Sequence, residues 1–125
     1  FYRPTVLSDV GPGMRAFDEE IFGPVAPVTV YADEAEALRL ANGGDYGLSA
    51  GIITGSAARG MEFAAQLRTG LVHVNDQTVN DEPWAPFGGT GASGNGSRHG
   101  GPANWDEFTQ WQWVTVKHRA PKYPF

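Results

Sequence analysis

The stretch LSAGIITGSAARGMEFAAQLRTGLVHVN, residues 48–75, decides the fold class. Leu48–Thr54 is an apolar run of strand length bounded by glycines, and Leu71–Asn75 repeats that pattern after another glycine. Between the two runs, Ser56 is placed to cap a helix over Ala57–Leu67. The residues on one face of that helix are small or apolar: Ala57, Met61, Ala64 and Ala65. A strand, a helix and a strand in this order predict a βαβ unit with parallel strands.

The same alternation extends toward the N-terminus. Val25–Tyr31 is β-branched and alternating, which predicts a strand despite an internal proline. Asp33 followed by Glu36 resembles a capping box, and the helix Glu34–Ala41 ends at an Asn-Gly-Gly sequence. A further short strand, at a sheet edge, is predicted within Tyr2–Leu7. The sequence therefore predicts an α/β fold with a parallel sheet built from βαβ units.

The last third of the chain has a different character. Pro83–Pro102 lacks periodicity and predicts a long loop, of the kind that is usually functional or shared with a partner. A short helix is predicted at Ala103–Phe108. Thr109–Lys117 then alternates polar and apolar residues and predicts a strand, with Trp111 and Trp113 as its large apolar side chains. Such a strand either completes the sheet of its own domain or pairs with a sheet edge of another chain.

Composition excludes several classes of function. The length of 125 residues suits one ordinary domain, and the net charge of −5 argues against a nucleic-acid partner. The sequence contains no cysteine, so disulfides, zinc–thiolate sites and a cysteine nucleophile within this chain are excluded. No apolar run is long enough to predict a membrane span, and no signal peptide is visible. A cytoplasmic protein is therefore expected.

Two sequence features that can indicate ligand binding, a glycine pattern and the histidines, do not predict a site here. Gly89–Gly94 matches the dinucleotide pattern G-x-G-x-x-G, but the proline before it and the glycines after it exclude the strand and helix that this pattern requires. The histidines lack metal-binding spacing, so no metal site is predicted. His99, in the glycine-rich loop, stays a candidate for contact with a ligand. Asp76, Asp81 and Glu82 are expected to be solvated loop charges.

The segment DEEIFGP, residues 18–24, places a carboxylate two residues before an aromatic ring and closes with a Gly-Pro turn. A carboxylate can accept hydrogen bonds from both hydroxyls of a ribose, and a nearby ring can cover the flat face of a base or nicotinamide. An acidic loop before a buried phenylalanine has the same pattern. The residues alone leave both interpretations open.

The string EEIFGP closely resembles the cofactor-contact motif of the aldehyde dehydrogenase superfamily. Further motifs of that family follow in its order, and together they extend the resemblance from Phe1 to about Lys117: Tyr46–Ile52, Gly70–Asn75, Pro86–Gly89 and Ser93–Arg98. The string VNDQTVND, residues 74–81, looks most like the benzaldehyde and related aromatic-aldehyde dehydrogenases. The fold that the resemblance implies is part of the catalytic domain of an aldehyde dehydrogenase.

The resemblance also implies site residues. NAD or NADP is the implied cofactor; Glu20 would hold the ribose hydroxyls of the nicotinamide nucleotide, and Phe22 would pack beside the nicotinamide. Phe87 would line the aldehyde tunnel, together with candidates from the preceding loop: Val79, Asn80 and Trp84. The implied reaction is oxidation of an aldehyde to a carboxylic acid through a cysteine thiolate. The nucleophile, the general-base glutamate, the oxyanion asparagine and the nucleotide-binding domain would lie upstream, so no catalytic residue is predicted here and the chain alone is expected to be inactive.

The implied organisation has two parts. Residues 1–108 would belong to the catalytic domain, and residues 109–125 would form an oligomerisation strand and a tail. Thr109–Lys117 resembles the segment that joins the sheet of a neighbouring subunit, which implies a homo-oligomer, a dimer or a tetramer. An alternative of a different class is a stand-alone module without catalysis that binds sugars or aromatic ligands on its tryptophans: Trp84, Trp105, Trp111 and Trp113.

Overall fold

Short strands and helices alternate in the computed structural model, which describes residues 1–124. The strands are β1 (Thr5–Leu7), β2 (Val25–Pro27), β3 (Tyr46–Gly47), β4 (Ser49–Ile52), β5 (Leu71–Val74) and β6 (Thr90–Gly91). The helices are α1 (Arg15–Asp18), α2 (Glu34–Ala41), α3 (Ala57–Ala64) and α4 (Ala103–Phe108). None of the helices in this part of the chain is long and apolar enough to cross a membrane.

The predicted βαβ unit is confirmed. Strands β4 and β5 are parallel, in a register that runs from Ser49 opposite Leu71 to Ile52 opposite Val74, and α3 connects them. Helix α3 packs closely on β5. A Cβ atom added at Gly60 would lie only 2.6 Å from a methyl carbon of Val74. The helix ends three residues earlier than predicted, and Gln66 and Leu67 form tighter turns in which each N–H donates to the carbonyl three residues before it.

Helix α2 has the predicted bounds and the predicted cap. The Asp33 side chain accepts a hydrogen bond of 2.8 Å from the backbone N–H of Glu36. The Glu36 carboxylate in turn accepts one of 2.8 Å from the N–H of Ala32, just before the cap. The first bond satisfies one of the donors that a helix start leaves without an intrahelical partner, and the second ties the residue before the cap to the first turn.

The chain does not form one continuous parallel sheet from Val25 to Asn75, so that prediction is wrong. Strand β2 pairs in parallel with β1, with Thr5 opposite Val25, and in the described residues it makes no pairing with β4. The predicted strand Val25–Tyr31 is cut to three residues at Pro27, which has no N–H to donate to a ladder. A cavity of about 830 Å³ lies between the two parallel pairs and is lined by residues of both.

The long loop Pro83–Pro102 is mostly irregular, as predicted. It contributes β6, which pairs antiparallel with β3, and one isolated bridge between Phe87 and His99. No helix of the described chain begins at Gly94, which agrees with rejecting the dinucleotide pattern there. Helix α4 follows at its predicted bounds.

Little of the described chain is buried. Val10, 6% exposed, is the one buried hydrophobic residue among residues 1–124, and the exposed surface totals 10,419 Å². A compact monomer of 13.4 kDa would expose about 6,500 Å². The chain therefore exposes about 3,900 Å² more than a compact domain of its mass, and the apolar faces of its elements lie largely uncovered.

The predicted strand Thr109–Lys117 has no partner strand in the part of the chain that the structure describes. Trp111 and Trp113 are 102% and 91% exposed. A strand requires a neighbouring edge to bond with, and this segment leaves α4 without reaching one. Thr109–Lys117 thus forms no strand in the described residues, and which sheet edge it would join in the complete protein stays a prediction.

Candidate cofactor and substrate site

The two neighbouring carboxylates of the EEIFGP segment have different surroundings. Helix α1, which sequence patterns did not predict, places Arg15 one turn before Glu19, and the two form a bidentate ion pair with both N···O distances at 2.9 Å. The hydrogen bond from Arg15 lowers the pKa of Glu19 below its ordinary value, and the same bond raises the pKa of Arg15. Arg15 thus engages Glu19, and the spacing i, i+4 is the signal that could have revealed this pair.

Glu20 is exposed and makes no hydrogen bond or ion pair with any described residue. Phe22, two residues on, is 95% exposed, so the alternative of a buried phenylalanine does not hold in this chain. Two successive short turns then lead the chain into β2, with Gly23 N–H donating to the Ile21 carbonyl at 2.9 Å and Val25 N–H donating to the Gly23 carbonyl at 2.8 Å. The segment therefore presents a free carboxylate and a free ring close together on one connection.

Phe87 lies on a short antiparallel ribbon with His99. The N–H of Phe87 donates to the His99 carbonyl at 2.7 Å, and the N–H of His99 donates back at 3.0 Å. Their rings are tilted by 55° with centroids 5.3 Å apart. This ring pair forms one wall of a cavity of about 280 Å³ that is completed by Asp81, Glu82, Pro83, Ala85 and Gly100.

The other predicted substrate residues lie near this cavity in the sequence but are not part of its lining. Val79 is 72% exposed, and Asn80 donates a side-chain hydrogen bond of 2.7 Å to the Asp76 carboxylate. Trp84 is 70% exposed on a turn closed by the Ala85 N–H donating to the Glu82 carbonyl. The structure thus brings Phe87 and His99 together, and no hydrogen bond, ion pair or ring contact in the described chain joins this pair to Glu20 or Phe22.

Backbone contacts hold the Phe87 segment against the βαβ unit. Gly70, just before β5, lies so close to the backbone of the Phe87 segment that a Cβ atom there would overlap the carbonyl oxygen of Gly88. The Arg98 guanidinium donates to the Gly89 carbonyl at 3.1 Å, which ties the two sides of the loop together. Sequence patterns identified the glycines of this loop but missed Arg98, whose role depends on a contact nine residues back.

No group of three or more His, Cys, Asp or Glu residues within residues 1–124 could hold a metal ion. His73 lies in β5, and its buried Nε2 atom has no hydrogen-bond partner among the described residues. A single imidazole is not a metal site. The chemistry that these residues can perform is binding and positioning.

A family model described as the aldehyde dehydrogenase family matches residues 1–114. The chain belongs to the aldehyde dehydrogenase family. It is 53% identical over 125 residues to a benzaldehyde dehydrogenase [NAD(+)] of Pseudomonas putida, and 53% identical over 126 residues to a vanillin dehydrogenase of an Amycolatopsis species. Each match covers 100% of this chain and 26% of the relative.

Solved structures agree with this assignment. A salicylaldehyde dehydrogenase from Pseudomonas putida G7, complexed with salicylaldehyde, superposes with a TM-score of 0.85 at 42% identity, covering 96% of this chain and 25% of that one. A Mycobacterium tuberculosis aldehyde dehydrogenase complexed with NAD+ gives a TM-score of 0.82 at 38% identity, covering 88% of this chain and 22% of that one. The chain therefore has the aldehyde dehydrogenase fold, mixed α/β with parallel strands, and spans about a quarter of the length of these relatives. These matches give no support to the alternative of a non-catalytic binding module.

Proposed function

We propose that this chain is the C-terminal part of an NAD(P)-dependent aldehyde dehydrogenase that oxidises an aromatic, benzaldehyde-like aldehyde to its carboxylic acid. Identity of 53% to relatives named for benzaldehyde and for vanillin supports the aromatic substrate. The complex of a family member with NAD+ supports the cofactor. The observation that carries the proposal is the exposed Glu20 carboxylate two residues before the exposed Phe22 ring, in a chain of this family.

The cofactor role of the segment follows from its chemistry. A carboxylate has two oxygens that can each accept a hydrogen bond from one ribose hydroxyl, and such charge-assisted bonds are stronger than neutral ones. Glu20 is available for this role because Arg15 engages Glu19 instead. Phe22 would pack its ring beside the nicotinamide. When bound, the nicotinamide accepts the hydride, and Glu20 and Phe22 would fix the orientation in which it does so.

The substrate role falls to the loop between β5 and β6. The Phe87 ring offers a flat apolar surface to an aromatic aldehyde, and Val79, Asn80 and Trp84 would line the same tunnel where the remaining polypeptide closes it. The sequence contains no cysteine. The thiolate that attacks the aldehyde, and the groups that release the acid, would therefore come from the remaining polypeptide.

The C-terminal segment supports a proposal about assembly. Residues 1–108 would belong to the catalytic domain, and Thr109–Lys117 would pair with a sheet edge of a neighbouring subunit in a dimer or tetramer. Its lack of a partner strand and the exposure of Trp111 and Trp113 support this role. A cytoplasmic location stays a prediction.

The Glu20→Gln substitution tests the proposal in the complete dehydrogenase that contains this chain. We expect single-turnover hydride transfer with benzaldehyde and NAD+ to slow roughly 10-fold or more, since the hydrogen bonds lost involve a charged acceptor. The affinity for NAD+ should fall less, because the adenosine and pyrophosphate would be held elsewhere. Glu107→Gln, an exposed carboxylate of α4, is the matched control. Equal hydride-transfer rates in Glu20→Gln and the parent would contradict the ribose contact.

A further inference from the structure

Two Asn-Gly pairs occur in the chain, and the structure holds them in different ways. We propose that the pair Asn95–Gly96, in the turn after β6, is a site of spontaneous covalent modification, at which the side-chain amide is lost and isoaspartate or aspartate forms. The pair Asn42–Gly43, after helix α2, should resist the same reaction. The inference goes beyond the proposed function, because the reaction takes place on the polypeptide itself and consumes only water.

The fold brings the reacting atoms of the first pair together. Asn95 and Gly96 are both exposed, and the N–H of Ser97 donates a hydrogen bond of 3.0 Å to Oδ1 of Asn95. The ring that this bond closes contains both reacting atoms, Cγ of Asn95 and the backbone nitrogen of Gly96. The Gly96 nitrogen donates no hydrogen bond to the described residues, and a Cβ atom at Gly96 would meet nothing within 4 Å. The nitrogen is therefore free to attack, and no neighbouring group obstructs it.

The reaction proceeds through a cyclic imide. The nitrogen of Gly96 loses its proton to hydroxide and attacks Cγ of Asn95, so that a C–N bond forms while the bond from Cγ to Nδ2 breaks. Nδ2 takes a proton from water and leaves as ammonia, and a succinimide ring remains. Water then opens the ring at one carbonyl to give aspartate, or at the other to give isoaspartate, whose main chain runs through Cβ. The Ser97 N–H that is already bonded to Oδ1 stabilises the negative charge that develops on this oxygen during the attack.

Hydrogen bonds hold the second pair away from this reaction. The half-buried Asn42 side chain donates from Nδ2 to the Gln66 carbonyl at 2.9 Å, and its Oδ1 accepts from the Arg68 N–H at 2.8 Å. The N–H of Gly43 donates to the Leu40 carbonyl at 3.1 Å. An amide held at both of its polar atoms cannot turn toward the Gly43 nitrogen until these bonds break. Two bonds of ordinary net strength slow such a step by about 30-fold.

The modification would alter the segment that carries Phe87. A Cβ atom at Gly94 would lie 2.6 Å from the carbonyl oxygen of Gly89, and one at Gly88 would overlap the carbonyl oxygen of Ser97. Both ends of the turn are thus packed against the two glycines that follow Phe87. Isoaspartate adds its Cβ atom to the main chain between these ends and leaves a charged carboxylate there. We therefore expect isoaspartate formation to displace the Phe87 segment.

The experiment incubates the complete dehydrogenase at neutral and at alkaline pH and follows each Asn-Gly pair by peptide mapping with mass spectrometry. We expect isoaspartate and aspartate to accumulate at Asn95 about 30-fold faster than at Asn42. Accumulation should be faster at alkaline pH, because the attacking nitrogen must lose its proton. In the denatured enzyme the two pairs should react at similar rates, since the fold causes the difference. The matched control Asn95→Gln keeps an amide but would have to close a larger ring, so position 95 should stay unmodified.

An Asn95 that stays intact in the complete enzyme, or that reacts no faster than Asn42, would overturn the proposal. Both outcomes are read from the polypeptide, so they do not depend on its activity. The effect on the Phe87 segment rests on the proposed function, and kcat/KM for benzaldehyde should fall as isoaspartate accumulates in the parent but hold in Asn95→Gln. An unchanged kcat/KM in fully modified enzyme would contradict that effect. Failure of the proposed function has a different outcome, in which freshly prepared enzyme does not oxidise benzaldehyde.

Discussion

At the scale of single residues, Gly70 shows how closely the loop that carries Phe87 packs on the sheet. A Cβ atom at this position would overlap the carbonyl oxygen of Gly88, next to Phe87. Backbone atoms cannot move aside as a flexible side chain can, so the loop or β5 would have to shift. The conformation of the Phe87 segment therefore depends on the absence of a side chain at Gly70.

We predict that Gly70→Ala destabilises the complete enzyme by about 1–3 kcal/mol or more, since overpacking at a rigid backbone contact forces a shift. The melting temperature from a thermal scan measures this effect. Gly55→Ala is the matched control, because a Cβ atom there would meet nothing within 4 Å. A melting temperature of Gly70→Ala as high as that of Gly55→Ala would show that the loop is not seated on the sheet in this way.

At the scale of elements, Thr109–Lys117 is a predicted strand that the described chain leaves unpaired. It follows α4, alternates polar and apolar residues, and has no partner strand within the described chain. A free edge of this composition invites pairing with another sheet. Its two exposed tryptophans offer the large rings that contribute most at the centres of interfaces.

In the complete enzyme, we expect the double substitution Trp111→Ala with Trp113→Ala to weaken the oligomer, since truncation of each tryptophan at an interface centre can cost about 2–4 kcal/mol. Sedimentation at micromolar concentration reports the change in mass. Trp105→Ala, which alters a tryptophan of α4 that is 72% exposed, is the control. A folded double variant with the parent mass would place the strand within its own subunit.

At the scale of the whole molecule, the exposed surface is too large for an independent domain. The excess of about 3,900 Å² over a compact monomer is larger than the roughly 1,000–2,500 Å² that one partner contributes to an obligate interface. The relatives are about four times as long as this chain, which agrees with a surface that the remaining polypeptide covers in the complete protein. Hydrophobic stabilisation is proportional to the area removed from water, so a substantial part of it is missing here.

The purified 125-residue chain should therefore show no cooperative heat-absorption peak in scanning calorimetry, and no NADH formation with benzaldehyde and NAD+. Coexpression with the remaining polypeptide of the dehydrogenase should restore both. A sharp unfolding transition of the chain alone would show that it folds as a domain, and NADH formation by it, free of host enzymes, would contradict the proposed division of the active site.

Local signals account for the parts of the fold that sequence patterns predicted well. Helices α2 and α4 have their predicted bounds, and α3 starts where its serine cap places it. Strands β4 and β5 lie within runs bounded by glycine. Each of these signals lies within a few residues of the element it determines, because caps and turns act through nearby backbone groups. The motifs that led to the family are likewise short segments of sequence.

Pairing between distant segments was decided only by the tertiary structure. The choice of β1 rather than β4 as the partner of β2 and the ribbon of Phe87 with His99 are contacts of this kind. A strand edge can bond equally well with many others, so its partner depends on what the rest of the chain brings beside it. The sequence alone thus determined the family and the local elements of this protein. Packing determined which strands pair and which side chains meet, because hydrogen bonding and burial depend on proximity in space.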